Sequence, residues 1–125
     1  MQLSEYFENT EGTGILSTAD SDGNVDAAVY ARPHIMEDGS LALIMRDRLS
    51  HANLQSNPKA VYLFKEAGQG HKGKRLYLKK MSEEQNTQRL FAMRRRNYAH
   101  DSEGDLFLVF FEITKELPLV GSGQG

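Results

Sequence analysis

A chain of 125 residues with 15 Lys and Arg against 17 Asp and Glu has a formal charge of −2, which argues against the broad basic face that phosphate-driven nucleic-acid binding requires. Cys is absent, which excludes disulfides, thiolate metal sites and a cysteine nucleophile and points to a reducing, cytoplasmic setting. The N-terminus shows no signal-peptide pattern and no apolar run approaches the ~20 residues of a membrane helix, so one soluble domain over residues 1–125 is expected, with no membrane association.

In chain order, Leu3 to Asn9 reads as a short helix or turn, broken by Gly12-Thr13-Gly14. Ile15 to Ala19 predicts a strand, and Asp20 to Asn24 a turn. A second strand runs from about Val25 to Ile35, with Pro33 limiting its pairing near that end. Glu37 to Ser40 is another turn before a third strand, Leu41 to Met45. Ser50 to Gln55 fits one or two helical turns, closed by Asn57-Pro58. Lys59 to Lys65 is a fourth strand, Gly68 to Gly73 a flexible loop, and Lys74 to Met81 a fifth strand. Ser82-Glu83-Glu84-Gln85 matches a capping box, so the clearest helix is expected from Ser82 to about Tyr98, ending near Arg94-Arg95-Arg96. After a loop at Asp101 to Asp105, Leu106 to Ile113 forms the last strand, and residues 119–125 a flexible tail or a lid.

Hairpins dominate and no βαβ rhythm is present, so the fold class is α+β or a small β-barrel of about six strands. The run Leu106-Phe107-Leu108-Val109-Phe110-Phe111 is apolar on both faces, and such a strand needs a cover on each side. The helix or a second subunit supplies it; a homodimer is the expectation.

Gly68-Gln69-Gly70-His71-Lys72-Gly73 spells G-x-G-x-x-G, but it leads into Arg75-Leu76-Tyr77-Leu78, a strand, whereas the dinucleotide loop opens a helix. The four His residues, at 34, 51, 71 and 100, have no metal-ligand spacing, and no Gly-x-Ser-x-Gly elbow exists. Aromatics such as Tyr62, Phe64 and Tyr77 read as core rather than as stacking platforms for single strands. The segment Met45 to Leu54 stands out. If strand conformation persists to Arg48, alternation places Arg46 and Arg48 on one face. Ser50 then occupies a natural N-cap with unpaired amides beyond it. Guanidinium, hydroxyl and helix-start amides together suit a phosphate dianion, with Arg32 as a third cation across the hairpin. The competing reading is an exposed loop in which Arg46, Asp47 and Arg48 pair with one another.

The same residues carry a family likeness. Gly14-Ile15-Leu16-Ser17-Thr18, Gly23, Asp38-Gly39-Ser40-Leu41 and Ser50-x-x-Asn53-Leu54-x-x-Asn57-Pro58-x-Ala60-Val61 resemble the pyridoxamine 5′-phosphate oxidase-like group of FMN-binding split barrels. The resemblance implies a six-stranded antiparallel split barrel with flanking helices, a homodimer, and FMN at the subunit interface. It assigns the phosphate to Arg46, Arg48, Ser50 and His51, the ring to the backbone of Tyr30, Ala31 and Arg32, and a flanking place to Met45. Lys74 is offered as a contact from the other subunit. One departure is that the family often has a Lys just before Asn-Leu, where this chain reads Leu49-Ser50-His51; Arg48 stands in for that charge. The function implied is a flavin-dependent oxidoreductase acting on a small molecule, with Arg32 or Lys74 beside the reduced ring. The alternative is a non-catalytic flavin or haem binder on the same fold, with His34, His51 or His71 as axial ligand. Pyridoxamine phosphate oxidation itself is not expected, because no second phosphate site is evident.

Overall fold

The computed structural model describes residues 2–94 and 104–121. Helix α1 (Leu3–Asn9) leads into strands β1 (Gly12–Ala19), β2 (Val25–Tyr30), β3 (His34–Ile35) and β4 (Leu41–Arg46). Helix α2 (Leu49–Ser56) follows, then β5 (Lys59–Glu66), β6 (Gly73–Gln85), helix α3 (Gln88–Met93) and β7 (Leu106–Pro118). Among the described residues the strands form one seven-stranded sheet in the order β2-β1-β5-β6-β7-β4-β3, with every neighbouring pair antiparallel.

The expected strand from Val25 to Ile35 is two strands, and this accounts for seven in place of six. Pro33 has no amide to donate to a ladder, and the chain leaves the sheet after Tyr30 and re-enters it at His34. The break shapes the molecule. Strands β2 and β3 are the two opposite edges of the sheet, yet only residues 31–33 separate them. Those residues span no more than about 14 Å from Tyr30 to His34, so the sheet must curl until its edges nearly meet.

The curled interior is filled by alternate residues. From β4 come Leu41, Leu43 and Met45, from β5 Tyr62 and Phe64, and from β7 Phe107, Val109 and Phe111; Phe7 of α1 plugs the same core. The other face of β7, Leu106, Leu108 and Phe110, packs with Ala42 of β4 and Leu90 of α3, flanked by Met93. Of the two covers anticipated for this strand, the helix supplies one and the barrel interior the other, so β7 itself gives no reason for a second subunit.

The capping box at Ser82 is overruled by sheet pairing. Residues Ser82 to Gln85 continue β6 and pair opposite Phe107 to Phe110, because a ladder against a buried strand outweighs a local cap. The chain then turns at Asn86 (φ 52°), and α3 starts after Thr87, whose hydroxyl accepts from the Leu90 amide at 3.4 Å. The predicted helix end at Tyr98 lies outside the described residues, as do Arg95, Arg96, the start of the loop at Asp101 and the tail beyond Gly121. Gly68 to Gly73 connects β5 to β6, a strand-to-strand loop as expected. Among the described residues no helix is long and apolar enough to cross a membrane.

Candidate functional site

Alternation along β4 sends Met45 into the core, 1 % exposed, and turns Ile44 and Arg46 the other way, into a cleft of about 340 Å³. Strand β4 ends at Arg46, and the backbone is extended again at Arg48 (φ −131°, ψ −167°), the N-cap of α2. A tight turn around Asp47 intervenes, with the Arg48 amide donating to the Arg46 carbonyl at 2.9 Å. Arg46 and Arg48 therefore line the same cleft, with Ser50 of α2 and Tyr30 and Ala31 from the end of β2.

Ser50 is not the N-cap but the second residue of the helix, and it is buried. The cap position belongs to Arg48, whose side chain makes no capping bond. The first intrahelical bond is the Ala52 amide to the Arg48 carbonyl, 2.9 Å. The amides of Leu49, Ser50 and His51 precede it, at the positive end of the helix. Burial pushes the Tyr30 phenol up, with the Asp26 carboxylate adding to the effect, against a Ser50 hydrogen bond and the charge of Arg48. Asp26 lines the cleft as well; alternation with Tyr30 along β2 makes it legible, as alternation with Arg46 does Ile44.

The nine residues anticipated from sequence are placed as follows. Tyr30, Ala31, Arg46, Arg48 and Ser50 share the cleft. Arg32 lines an adjoining recess of about 380 Å³ formed with Gly12 to Gly14 and Val29 to Ala31. Its Nη1 donates to the carbonyls of Phe7, Glu8 and Thr10 at 2.9, 3.4 and 3.1 Å, so this guanidinium nitrogen caps the end of α1 instead of reaching across to Arg46. Met45 cannot flank a ligand from the core. His51 faces away from the cleft, stacked on Phe107 with centroids 3.8 Å apart, its Nε2 3.0 Å from Glu83. Lys74 pairs with Glu116 at 2.8 Å and lies over the Tyr6 ring.

Tyr62 holds the β2 end of the cleft from inside the barrel. Its hydroxyl donates to the Ala31 carbonyl at 3.0 Å. It passes so close to Gly14 that a Cβ there would stand 1.8 Å from the phenolic oxygen. Asn53 and Leu54, part of the family-like segment, are structural: Asn53 donates to the Thr18 hydroxyl at 3.0 Å and Leu54 joins the core.

No family model matches the sequence, and no curated protein matches it. Solved structures do. An FMN-binding protein from Syntrophomonas wolfei subsp. wolfei superposes with a TM-score of 0.77 at 21 % identity, covering 94 % of this chain and 84 % of that one. A Lactobacillus delbrueckii protein provisionally described as a pyridoxamine 5′-phosphate oxidase matches with a TM-score of 0.64 at 15 % identity, over 94 % and 92 % of the two chains. The chain has the pyridoxamine 5′-phosphate oxidase-like split-barrel fold. A heme binding protein from Mycobacterium smegmatis shares it with a TM-score of 0.59 at 18 % identity, over 97 % of this chain and 54 % of that one. At these identities the split barrel is what is common.

The donor set of this split barrel fits a phosphorylated flavin. Two guanidiniums, a buried hydroxyl and the uncapped amides of a helix start are donors that suit a compact anion, with Asp26 the one acidic group among the described residues of the same lining. The cleft and the recess share Val29, Tyr30 and Ala31 in their walls, so a ligand with an anionic end and a flat body can span both.

Proposed function

We propose that the protein binds FMN, with the phosphate at Arg46, Arg48, Ser50 and the first-turn amides of α2, and the ring over the Tyr30–Arg32 backbone. The convergence of both arginines on one cleft at a helix start carries this reading. A bound flavin would supply the redox chemistry, passing electrons between a donor such as a reduced nicotinamide and a small-molecule substrate. The chain's own part is to hold the phosphate, line the cleft with Ile44, and present backbone groups to the ring. The flavin-binding and reductase proteins among those sharing the fold support an oxidoreductase.

We also propose a homodimer, on a different surface from the one expected. The outer face of β1, β2 and β5 exposes Val25 (82 %) and Val29 (75 %), beside Ile15 and Leu63, which align with Val29 in one cross-strand row. An apolar sheet face of this kind calls for a cover. Val29 also borders the cleft, so a second copy seated here would close the open side of the site, and Lys74 would enter it only from that copy.

A non-catalytic carrier, of flavin or haem, is the second reading, favoured by the heme binding protein of the same fold. His51 does not suit it as an axial ligand, since the ring is stacked and its Nε2 is engaged by Glu83.

Titration of the purified protein with FMN and with riboflavin tests the main reading. FMN binds more tightly than riboflavin, and Arg48→Ala weakens FMN by about tenfold to a hundredfold, the loss of a charge-assisted contact, while riboflavin binding is unchanged. Equal loss for both ligands, or none, overturns the phosphate assignment. The visible spectrum separates flavin from haem, and oxidation of a reduced nicotinamide separates enzyme from carrier.

A further inference from the structure

His51 is the one residue of the family-like segment that carries a titratable ring and turns its back on the cleft, and its surroundings are specific. From α2 itself Gln55 Nε2 lies 3.2 Å from His51 Nε2, with its hydrogens directed to the His51 carbonyl at 3.0 Å and to Glu83 Oε1 at 3.2 Å. From β6, Glu83 lies 3.0 Å from the same nitrogen, and Lys80 braces Glu83 at 2.6 Å. From β7, Phe107 stacks on the ring. From the turn before the helix, Asp47 Oδ1 lies 3.4 Å from Nδ1. Each ring nitrogen thus faces a carboxylate.

A neutral imidazole has one N–H and one lone pair, and only the protonated ring donates from both nitrogens. Glu83 is held ionised: burial alone would raise its carboxyl, but hydrogen bonds from Lys80, His51 and Gln55 outweigh that and bring it to about 2. The single proton of neutral His51 therefore belongs on Nε2, against Glu83. The Nδ1 lone pair then faces the Asp47 carboxylate, a repulsive pairing. When the ring takes up a second proton, Nδ1–H becomes a donor to Asp47. The Asp47 side chain is exposed, 67 %, and can move. It stands between Arg46 and Arg48 in the chain, so wherever His51 does not hold it, its negative charge is free to approach the cleft and oppose an anion there.

We propose that His51 is a positioning residue for the anion site: in its protonated form it draws Asp47 away from the cleft, so that Arg46, Arg48 and the helix start bind an anion more tightly. This rests on the anion site described under the proposed function, though not on the anion being a flavin. Linkage makes the effect reciprocal, so a bound anion raises the proton affinity of His51 by the same factor.

The probe is sulfate, whose charge does not change between pH 8 and pH 5, the range in which imidazole side chains titrate. Binding is read from the backbone amide resonances of Leu49 and Ser50, for the unaltered protein and for Asp47→Asn, which alters an exposed side chain and leaves the fold intact. The expected result is a gain in sulfate affinity from Asp47→Asn of about twofold to fivefold at pH 8, shrinking toward none at pH 5. The titration of the His51 ring also shifts upward with saturating sulfate in the unaltered protein and not in the variant. An equal gain at both pH values means that Asp47 acts by its charge alone and overturns the inference, as does the absence of any sulfate-induced change at those amides. No flavin enters the measurement. A failed FMN titration with this result intact sinks the flavin reading alone, and the converse sinks this one alone.

Discussion

The two outer faces of the sheet are treated differently. Where β4 and β7 turn outward, Leu106, Leu108 and Phe110 are covered by α3 through Leu90. Where β1, β2 and β5 turn outward, Val25 and Val29 stand in the open. Among the described residues, a helix is laid on one half and an apolar surface is left bare on the other. The candidate cleft lies along the border of the bare half, at β2 and the start of α2.

The largest effect is expected from stripping the cover. Leu90 is fully buried, and Leu90→Ala should cost about 2–5 kcal/mol, the usual range for an emptied aliphatic site, read by denaturant unfolding. A loss below about 1 kcal/mol would mean that α3 is not what shields β7. On the bare half, Val29→Asp should leave the folded subunit stable to within about 0.5 kcal/mol yet weaken self-association at least about tenfold in sedimentation. Phe91→Ser, at an exposed position of α3, is the matching change on the covered half and should leave association untouched. If the two results are exchanged, the dimer surface has been placed on the wrong side.

The smallest effect concerns α2, which reaches both halves through the Asn53–Thr18 and His51–Glu83 contacts. The Glu83 carboxyl titrates at about 2 in the folded chain against an ordinary 4.5. A depressed acid stabilises the fold above its unfolded value and ceases to do so as pH falls through the folded one. The melting temperature should therefore drop between pH 4.5 and pH 2, and Glu83→Gln should flatten that part of the curve. Parallel curves would remove Glu83 from the set of contacts that seat α2.

Much of the architecture was legible because it rests on period-two patterns. The strand at Leu41 follows from the pleat, and the run apolar on both faces at Leu106 to Phe111 is indeed a strand covered on both sides. Arg46 and Arg48, by contrast, meet in one cleft across the turn at Asp47 and not by strand alternation. Three things were not legible, and for the same reason. The Ser82 capping box is a sound local signal, but the choice between helix and strand was made by Phe107 to Phe110, more than twenty residues away. His51 sits next to Ser50 in a segment that looks wholly devoted to an anion, yet on a helix adjacent residues point about 100° apart. Ser50 lines the cleft, and its neighbour is turned toward Glu83 of β6. Arg32 is a third instance: its charge was visible, but not the three carbonyls at the end of α1 that claim it.

The crossing of Tyr62 over Gly14 ties two positions of the chain into a shared allowance of space. With a Cβ at residue 14 falling 1.8 Å from the phenolic oxygen, any homologue that gains a methyl there has to shorten or redirect the ring at 62. It would then forfeit the bond to the Ala31 carbonyl. Substitutions at 14 and 62 should accordingly travel together through evolution, and a descendant that lost both would keep its barrel while the rim beside Ala31 drifted.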